Sequence, residues 1–206
     1  ILRAGALGPV RMMLPMITTI PELDRSLQII DELSDEMRQS GVDFDENVPI
    51  GVMVEVPATA YVLDQILPFV DFVSVGTNDL VQYLLAVDRD NPRVASLYDP
   101  YHPAVIRTLQ LIATTVEASG KPVSICGEIA GDHYYTMLLV GLGFRELSMA
   151  PVFLPRVKLM IRNFSIEEAQ EIAKKAITMS SANEIRELLK EKSRAVWSEF
   201  LGETSM

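Results

Sequence analysis

The chain has little cysteine, histidine or positive charge, and each shortage excludes a class of protein. A single cysteine, Cys126, among 206 residues rules out an internal disulfide framework and suits a reducing compartment. The 18 Lys and Arg residues against 28 Asp and Glu residues leave a formal net charge of −10. We therefore expect no nucleic-acid binding of the sequence-independent kind, which relies on basic side chains against phosphates. The two histidines, His102 and His133, stand apart and near no metal-ligand pattern, which indicates structural or capping roles.

A long apolar run is also lacking. The richest apolar stretch, Met137 to Phe144, spans eight residues, whereas a membrane-spanning helix needs about 20, so we expect no membrane association. The start has no apolar run behind a basic head, which predicts the absence of a signal peptide and a cytoplasmic location. Because the sequence starts with Ile1 rather than methionine and begins abruptly before a predicted strand, we expect a fragment.

Strand-like and helix-like segments alternate along the chain. Apolar stretches predict five strands followed by helices, at residues 10–17, 50–56, 72–75, 122–126 and 146–149. We predict the helices at residues 20–40, 58–67, 79–86, 104–118, 132–140 and 155–163, with two more at the end. Capping boxes mark three helix starts, at Thr19 with Glu22, Ser165 with Glu168 and Ser181 with Glu184.

This alternation predicts an α/β fold with a parallel sheet buried on both faces. Doubly wound sheets and TIM barrels both fit the pattern. Five βα units cannot close an eight-stranded barrel. A barrel would therefore make this chain its C-terminal part, with about five βα units plus C-terminal helices.

Polar side chains sit where predicted strands give way to helices. Glu55 ends the second strand region, Asn78 and Asp79 follow the third strand, and Cys126 ends the fourth. In both folds this edge of the sheet is the active-site rim. Two carboxylates with waters and phosphate oxygens are a usual way to hold Mg²⁺, which suggests Glu55 and Asp79 as ligands. The alternative is that Asp79 caps the next helix and Glu55 pairs with a nearby Lys or Arg.

Three other rim residues each admit two interpretations. Asn78 can donate its amide to a phosphate or tie down its own turn. Arg89 lies beyond the following helix and can return to clamp a phosphate with its planar fork, or form a surface ion pair. A lone cysteine is usually a small core residue, so Cys126 is either part of the core or a catalytic thiol.

Four runs of this sequence carry a resemblance to a known family, and they fall in that family's order and approximate spacing. They are Gly51-Val-Met-Val-Glu-Val-Pro57, Gly76-Thr-Asn-Asp-Leu-Val-Gln-Tyr83, Leu85-Ala-Val-Asp-Arg89 and Cys126-Gly-Glu-Ile-Ala-Gly-Asp132. The chain resembles the phosphoenolpyruvate (PEP)-binding barrel of the PEP-utilising enzymes, most closely the PEP-protein phosphotransferases, called Enzyme I of the bacterial phosphotransferase system. The resemblance runs from Arg11 onward. It implies a TIM (β/α)8-barrel, of which residues 1–206 are the C-terminal portion, without the early strands and the N-terminal phosphohistidine domain.

The resemblance also implies roles for the rim residues. Glu55 and Asp79 match the Mg²⁺ ligands, Asn78 and Arg89 match residues that bind PEP, and Asp79 borders the substrate as well. Cys126 matches the acid that protonates the enolate carbon. The implied reaction transfers phosphoryl from PEP to an enzyme histidine and on to a phosphocarrier protein of sugar transport, releasing pyruvate. The implied assembly is a homodimer, and the fragment alone is expected to be inactive in the full reaction.

Alternative functions stay open at this point. Pyruvate phosphate dikinase and PEP synthase share the barrel, but dikinases carry a histidine soon after Cys-Gly-Glu, where this chain has Ile129. The run from Val94 to Pro103 resembles the nitrogen-related branch slightly more than the sugar branch. A non-catalytic dimerisation or ligand-sensing module is the alternative from a different class, and the amphipathic C-terminal helices and acidic surface would suit it.

Overall fold

A five-stranded parallel sheet organises the chain. A computed structural model describes the backbone of residues 1–201 and their side chains, except those of residues 195 and 197–201. The strands are β1 (Met12–Leu14), β2 (Ile50–Val54), β3 (Phe72–Gly76), β4 (Val123–Cys126) and β5 (Glu146–Ser148). Their order in the sheet is β1-β2-β3-β4-β5, and every neighbouring pair is parallel.

The sequential strand order separates the two expected architectures. A doubly wound sheet reverses its strand order at a switch point, whereas a barrel sheet adds each new strand beside the previous one. The order here has no reversal. The predicted α/β class with five βα units followed by C-terminal helices is confirmed, and the strand order is that of a barrel.

Eleven α-helices connect and follow the strands within residues 1–201. They are α1 (Leu2–Gly5), α2 (Ile20–Gln39), α3 (Pro57–Tyr61), α4 (Leu63–Ile66), α5 (Thr77–Leu85), α6 (Pro103–Ser119), α7 (Glu128–Gly131), α8 (Thr136–Leu142), α9 (Leu154–Ile161), α10 (Ile166–Thr178) and α11 (Ala182–Leu201). Short 3₁₀ turns lie at Leu67–Phe69, Ala95–Leu97 and Pro151–Phe153. Among the residues described, no helix is both long and apolar enough to cross a membrane.

Local capping sets several helix starts. At α2, Thr19 Oγ1 accepts the N–H of Glu22, and the Glu22 carboxylate accepts the N–H of Thr19, so this predicted capping box is confirmed. The same reciprocal pair between Ser165 and Glu168 starts α10. His102 Nδ1 accepts the N–H of Ala104 at 3.1 Å where α6 begins, as expected of a capping histidine.

Three helices differ from the sequence prediction. The segment predicted as one helix at 58–67 breaks at Val62, whose φ of −118° and ψ of 14° are not helical. The helix predicted from residue 132 starts at Thr136, because the Asp132 carboxylate accepts the N–H of Tyr134 in a local turn. Helix α5 starts at Thr77 instead of Asp79, which puts Asn78 and Asp79 in its first turn.

The two faces of the sheet differ in chemistry. One face is apolar and inaccessible to solvent, and packs into the main core with helix residues such as Leu80, Leu109 and Leu138. It is formed by Val52, Val54, Val73, Val75 and Ile125. The other face carries mostly small and polar residues at the alternate positions, namely Gly51, Ser74, Gly76, Ser124, Cys126, Glu146 and Ser148, together with the larger Met53 and Phe72. The strands are therefore apolar on one face of the sheet only. The polar residues of the second face continue towards the edge at which the strands end.

Candidate functional site at the carboxyl ends of the strands

The predicted rim residues come together at one edge of the sheet. Glu55 follows β2 directly, Asn78 and Asp79 lie in the first turn of α5 after β3, and Cys126 is the last residue of β4. Because neighbouring parallel strands end at the same edge, these side chains converge. Arg89 returns to this edge from the loop after α5, where its Nη2 lies 3.8 Å from Asp79 Oδ1.

Glu55 is a buried acid held by the backbone. Its side chain is largely inaccessible, with the residue only 4% exposed, and its Oε1 accepts the N–H of Met16 at 2.8 Å. Met16 has a φ of 56°, a left-handed conformation that is uncommon for a residue other than glycine. Burial raises the pKa of Glu55, and the negative charge of Asp79 raises it further. A buried carboxylate beside a second negative charge forms a site that a cation would stabilise.

The space beside Glu55 fits a bound metal ion. A Cβ at Gly76 would lie 3.0 Å from Glu55 Oε2 and 2.8 Å from Met53 Sδ, so the glycine keeps that side of the carboxylate open. Within residues 1–201, Glu55 makes no salt bridge, in contrast to the alternative that it pairs with a Lys or Arg. No group of three or more His, Cys, Asp or Glu side chains gathers among the described residues. Two carboxylates with waters and phosphate oxygens suit Mg²⁺, which often keeps few protein ligands.

Asn78 ties together the turns that follow β3 and β4. Its Oδ1 accepts the N–H of Glu128 at 2.9 Å, so the part of the amide left for a ligand is the NH₂ group, a donor suited to a phosphate oxygen. Thr77 Oγ1 donates to the carbonyl of Cys126 at 2.7 Å. Gly127 stands between these contacts with a φ of 98°. A Cβ there would overlap the Thr77 hydroxyl and lie 2.8 Å from Asn78 Oδ1, so this turn requires glycine.

Cys126 carries a half-buried thiol. Its Sγ donates to the carbonyl of Val75 at 3.4 Å and accepts from Ser74 Oγ at 3.9 Å. Burial raises the pKa of the thiol, and the charges of Glu55 and Asp79 raise it further, against the opposing effect of the Ser74 hydrogen bond. A thiol with a raised pKa stays protonated at neutral pH, which is the state that a proton donor needs.

Tyr98 also belongs to the site, although the sequence interpretation assigned it no role there. Its hydroxyl donates to the carbonyl of Asn78 at 3.4 Å. Burial raises the pKa of Tyr98, with Glu128 as the next cause, while Arg89 opposes the shift partly through a hydrogen bond. Tyr98 therefore hydrogen-bonds to one predicted PEP-binding residue, Asn78, and is influenced by the charge of the other, Arg89. The only sequence signal was an aromatic residue within a loop rich in Asp, Asn and Pro.

The loop that carries Arg89 and Tyr98 is anchored on two sides. Arg186 of α11 pairs with Asp99 at 2.8 Å, and its guanidinium lies 4.7 Å from the ring centroid of Tyr101. The Tyr101 hydroxyl donates to Asp132 at 3.0 Å. The C-terminal end of the loop is thus fixed both to the C-terminal helix and to the segment after Cys126.

Comparison with known proteins agrees with this geometry. Residues 1–166 match the family described as "PEP-utilising enzyme, PEP-binding domain". The chain belongs to the PEP-utilising enzymes. This membership confirms the family resemblance that the four sequence runs indicated.

Individual relatives are similar to this chain over most of its length. The chain is 41% identical over 191 residues to the phosphoenolpyruvate-protein phosphotransferase of Haemophilus influenzae, with 93% of this chain and 33% of that protein covered. It is 43% identical over 192 residues to multiphosphoryl transfer protein 1 of Escherichia coli, with 92% and 23% covered. The chain thus spans about a third or less of the length of these curated relatives.

Among solved structures, a citrate lyase from Burkholderia xenovorans has a similar fold. The TM-score is 0.53 at 17% sequence identity, and the alignment covers 92% of this chain and 65% of the lyase. At this identity the likeness concerns the fold alone, and it agrees with the α/β architecture.

Proposed function

We propose that this chain is the PEP-binding and catalytic barrel region of a PEP-protein phosphotransferase, with residues 1–206 as the C-terminal portion of the barrel domain. The observation that carries the proposal is the convergence of two carboxylates, an amide, a guanidinium and a thiol at one rim. Family membership and the names of the similar proteins support it. Two glycines support it independently: Gly76 leaves space beside the Glu55 carboxylate, and Gly127 lets Thr77 and Asn78 approach the turn after β4.

Glu55 and Asp79 are the residues that would hold Mg²⁺. They are acids from different βα units, and Asp79 contributes to the raised pKa of Glu55. The ion would supply positive charge to the phosphate and carboxylate oxygens of PEP and to the enolate that develops from it. The backbone N–H of Met16 fixes Glu55 Oε1, so the carboxylate is oriented before a ligand arrives.

Arg89 and Asn78 would hold the phosphoryl group. Phosphoryl transfer has a loose transition state, so catalysis depends mainly on positioning and charge stabilisation. The Arg89 side chain is about one-third exposed and lies 3.8 Å from Asp79, a loose ion pair that leaves most of its N–H donors for a ligand. The NH₂ group of Asn78 adds a neutral donor whose position is set by Glu128.

Cys126 would protonate the enolate that remains after the phosphoryl group has left. In this step the S–H bond breaks, a C–H bond forms at the methylene carbon, and the electron pair stays on sulfur as a thiolate. The product is pyruvate, and solvent returns the proton to the thiolate before the next cycle. The raised pKa of the thiol supports this role, because an efficient donor must be protonated at the working pH.

The wider activity would need parts that lie outside this chain. The acceptor histidine would reach the rim from an N-terminal domain of a longer protein, and the phosphocarrier protein would bind through that domain, which accords with relatives about three times as long. The assembly would be a homodimer in the cytoplasm. Ile129, at the position where dikinases carry histidine, favours a phosphotransferase over a dikinase.

Pyruvate release by the full-length protein that contains this chain tests the proposal. Turnover of PEP should require Mg²⁺ and stop on chelation, and Asp79→Ala and Glu55→Ala should each abolish it. Asp64→Ala, which removes an exposed acid from α4, is the matched control and should turn over normally. Near-normal turnover in both site variants would show that these carboxylates are structural, and the non-catalytic module would then be the better account.

A further inference from the structure

Two serines on the polar face of the sheet form a hydrogen-bonded line to the Cys126 thiol. Ser74 on β3 pairs in register with Ser124 on β4, and Gly76 pairs with Cys126 one step closer to the rim. Ser124 Oγ donates to Ser74 Oγ at 2.9 Å. Ser74 Oγ in turn donates to Cys126 Sγ at 3.9 Å, within the longer range of contacts to sulfur.

We propose that Ser74 is a positioning residue for the Cys126 thiol, stabilising the thiolate that remains after proton donation, and that Ser124 orients Ser74 for this contact. The inference rests on the proposed role of Cys126 as the proton donor. Ser74 acts through the thiol and need not touch the substrate.

The contacts of Ser74 carry the inference. Its Oγ lies 2.9 Å from Ser124 Oγ and 3.9 Å from Cys126 Sγ. With Ser124 as the donor in the first contact, the Ser74 hydroxyl can donate its own proton to the sulfur. The thiol proton points at the Val75 carbonyl. When the thiol gives up its proton, its hydrogen bond to the Val75 carbonyl is lost, and the Ser74 hydroxyl remains as the hydrogen-bonding partner of the charged sulfur.

The surrounding charges make this donor important. Glu55 after β2 and Asp79 on α5 both act against a negative charge on Cys126. Glu128 on α7 and Glu146 on β5, the latter paired with Ser124, are further acids on the neighbouring elements. Among the described residues, Ser74 is the one side chain that donates a hydrogen bond to the sulfur.

The burial of Ser74 indicates that its contacts with Ser124 and Cys126 are part of the structure. Ser74 is 5% exposed, so its hydroxyl must find its partners within the protein. The alternative interpretation is that the two serine hydroxyls hydrogen-bond only to each other and do not affect the thiol. Under that interpretation, removing the Ser74 hydroxyl would leave the thiol unaffected, which an experiment can detect.

The pH dependence of thiol alkylation tests the proposal, because Cys126 is the only cysteine in the 206 residues. Iodoacetamide reacts with the thiolate, so the rate against pH reports the midpoint of thiol ionisation. All variants are measured in the same metal-free buffer. Ser74→Ala should raise the midpoint by about half to one pH unit, and Ser124→Ala should raise it less. Ser74→Thr keeps the hydroxyl and should restore the parental value.

Ser148→Ala is the matched control. Ser148 pairs with Cys126 from the other side, on β5, and makes no hydrogen bond to the thiol within the described residues. An unchanged midpoint in Ser74→Ala would overturn the proposal. An equal rise in Ser74→Ala, Ser74→Thr and Ser148→Ala would overturn it too, because the cause would then be a general disturbance of the sheet.

The alkylation result is independent of the proposed function. It reports the contact between Ser74 and the thiol whether or not that thiol donates a proton to a substrate. Deuterium entry into pyruvate during turnover of a Cys126→Ala full-length protein tests the donor role separately. A midpoint shift in Ser74→Ala with normal deuterium entry in Cys126→Ala would therefore reject the donor role and keep the contact.

Discussion

Replacing Gly127 with alanine should both destabilise the fold and displace residues of the rim, although the substitution removes no side-chain contact. Gly127 has a φ of 98° and a ψ of −169°, a backbone region that is essentially restricted to glycine. The added Cβ would overlap the Thr77 hydroxyl and approach Asn78 Oδ1 to 2.8 Å. Both neighbours are already hydrogen-bonded, Thr77 to the Cys126 carbonyl and Asn78 to the N–H of Glu128. Neither side chain can therefore move without breaking its hydrogen bond.

The magnitude follows from two contributions. Holding alanine in this backbone region costs about 1–3 kcal/mol. Moving Asn78 away breaks its hydrogen bond with Glu128, with a net cost of about 1 kcal/mol. The free energy of unfolding should therefore fall by about 2–4 kcal/mol. A displaced Asn78 should also weaken PEP binding by on the order of tenfold to a hundredfold, as expected for a misplaced contact in a site that works by positioning.

Gly120→Ala is the control for the backbone cost alone. Gly120 has a φ of 70°, and a Cβ there would meet nothing within 4 Å, so this variant should lose about 1–2 kcal/mol of stability and keep normal PEP affinity. Urea unfolding of the chain and calorimetric PEP titration of the full-length protein measure the two effects. Equal stability losses in both variants, with unchanged PEP affinity in Gly127→Ala, would refute the reasoning.

Three further predictions concern the thiol, the tyrosine and the sheet edges. Cys126→Ala in the full-length protein should keep PEP and Mg²⁺ binding but slow turnover and deuterium entry into the pyruvate methyl group at least about a hundredfold; parental rates would show that another group is the acid. Tyr98→Phe removes the hydroxyl that contacts Asn78 and should raise KM for PEP about fivefold with little change in kcat, whereas a fall in kcat alone would contradict a positioning role. The edge strands of the described sheet, β1 and β5, should promote self-association of the 206-residue chain, so light scattering should give a mass well above 22.9 kDa; a monomer across micromolar concentrations would count against it.

Much of the fold could be predicted because its signals are local. Periodic apolar residues and a capping box placed α2 to within one residue of its observed end at Gln39. The helix predicted at residues 104–118 is observed as α6 (Pro103–Ser119), and it ends at Gly120, whose φ of 70° is left-handed. The break at Val62 and the late start of α8 at Thr136 were not predicted, since they depend on how short segments pack and turn above the sheet.

The candidate site, like the fold, could be predicted only where its signals are local in the sequence. Glu55, Asn78, Asp79 and Cys126 could be placed on one rim because each follows a strand, and parallel strands end together. The contacts that orient them come from residues distant in sequence. Met16 reaches Glu55 across 39 positions and Ser74 reaches Cys126 across 52. For Ser74, the alternation of small polar residues with valines in β3 is a local signal that indicates a polar sheet face, but the partner on β4 follows only from the register.

The central claim is that Glu55 and Asp79 form the metal part of a PEP site. Calorimetric titration of PEP into the full-length protein, with Mg²⁺ and with a chelator, tests it most directly when the parent is compared with Glu55→Gln, which keeps the size of the side chain and removes its charge. The account predicts PEP binding that depends on Mg²⁺ in the parent, and binding that is weak and indifferent to Mg²⁺ in Glu55→Gln. Equal, Mg²⁺-dependent PEP affinity in the two proteins would contradict it.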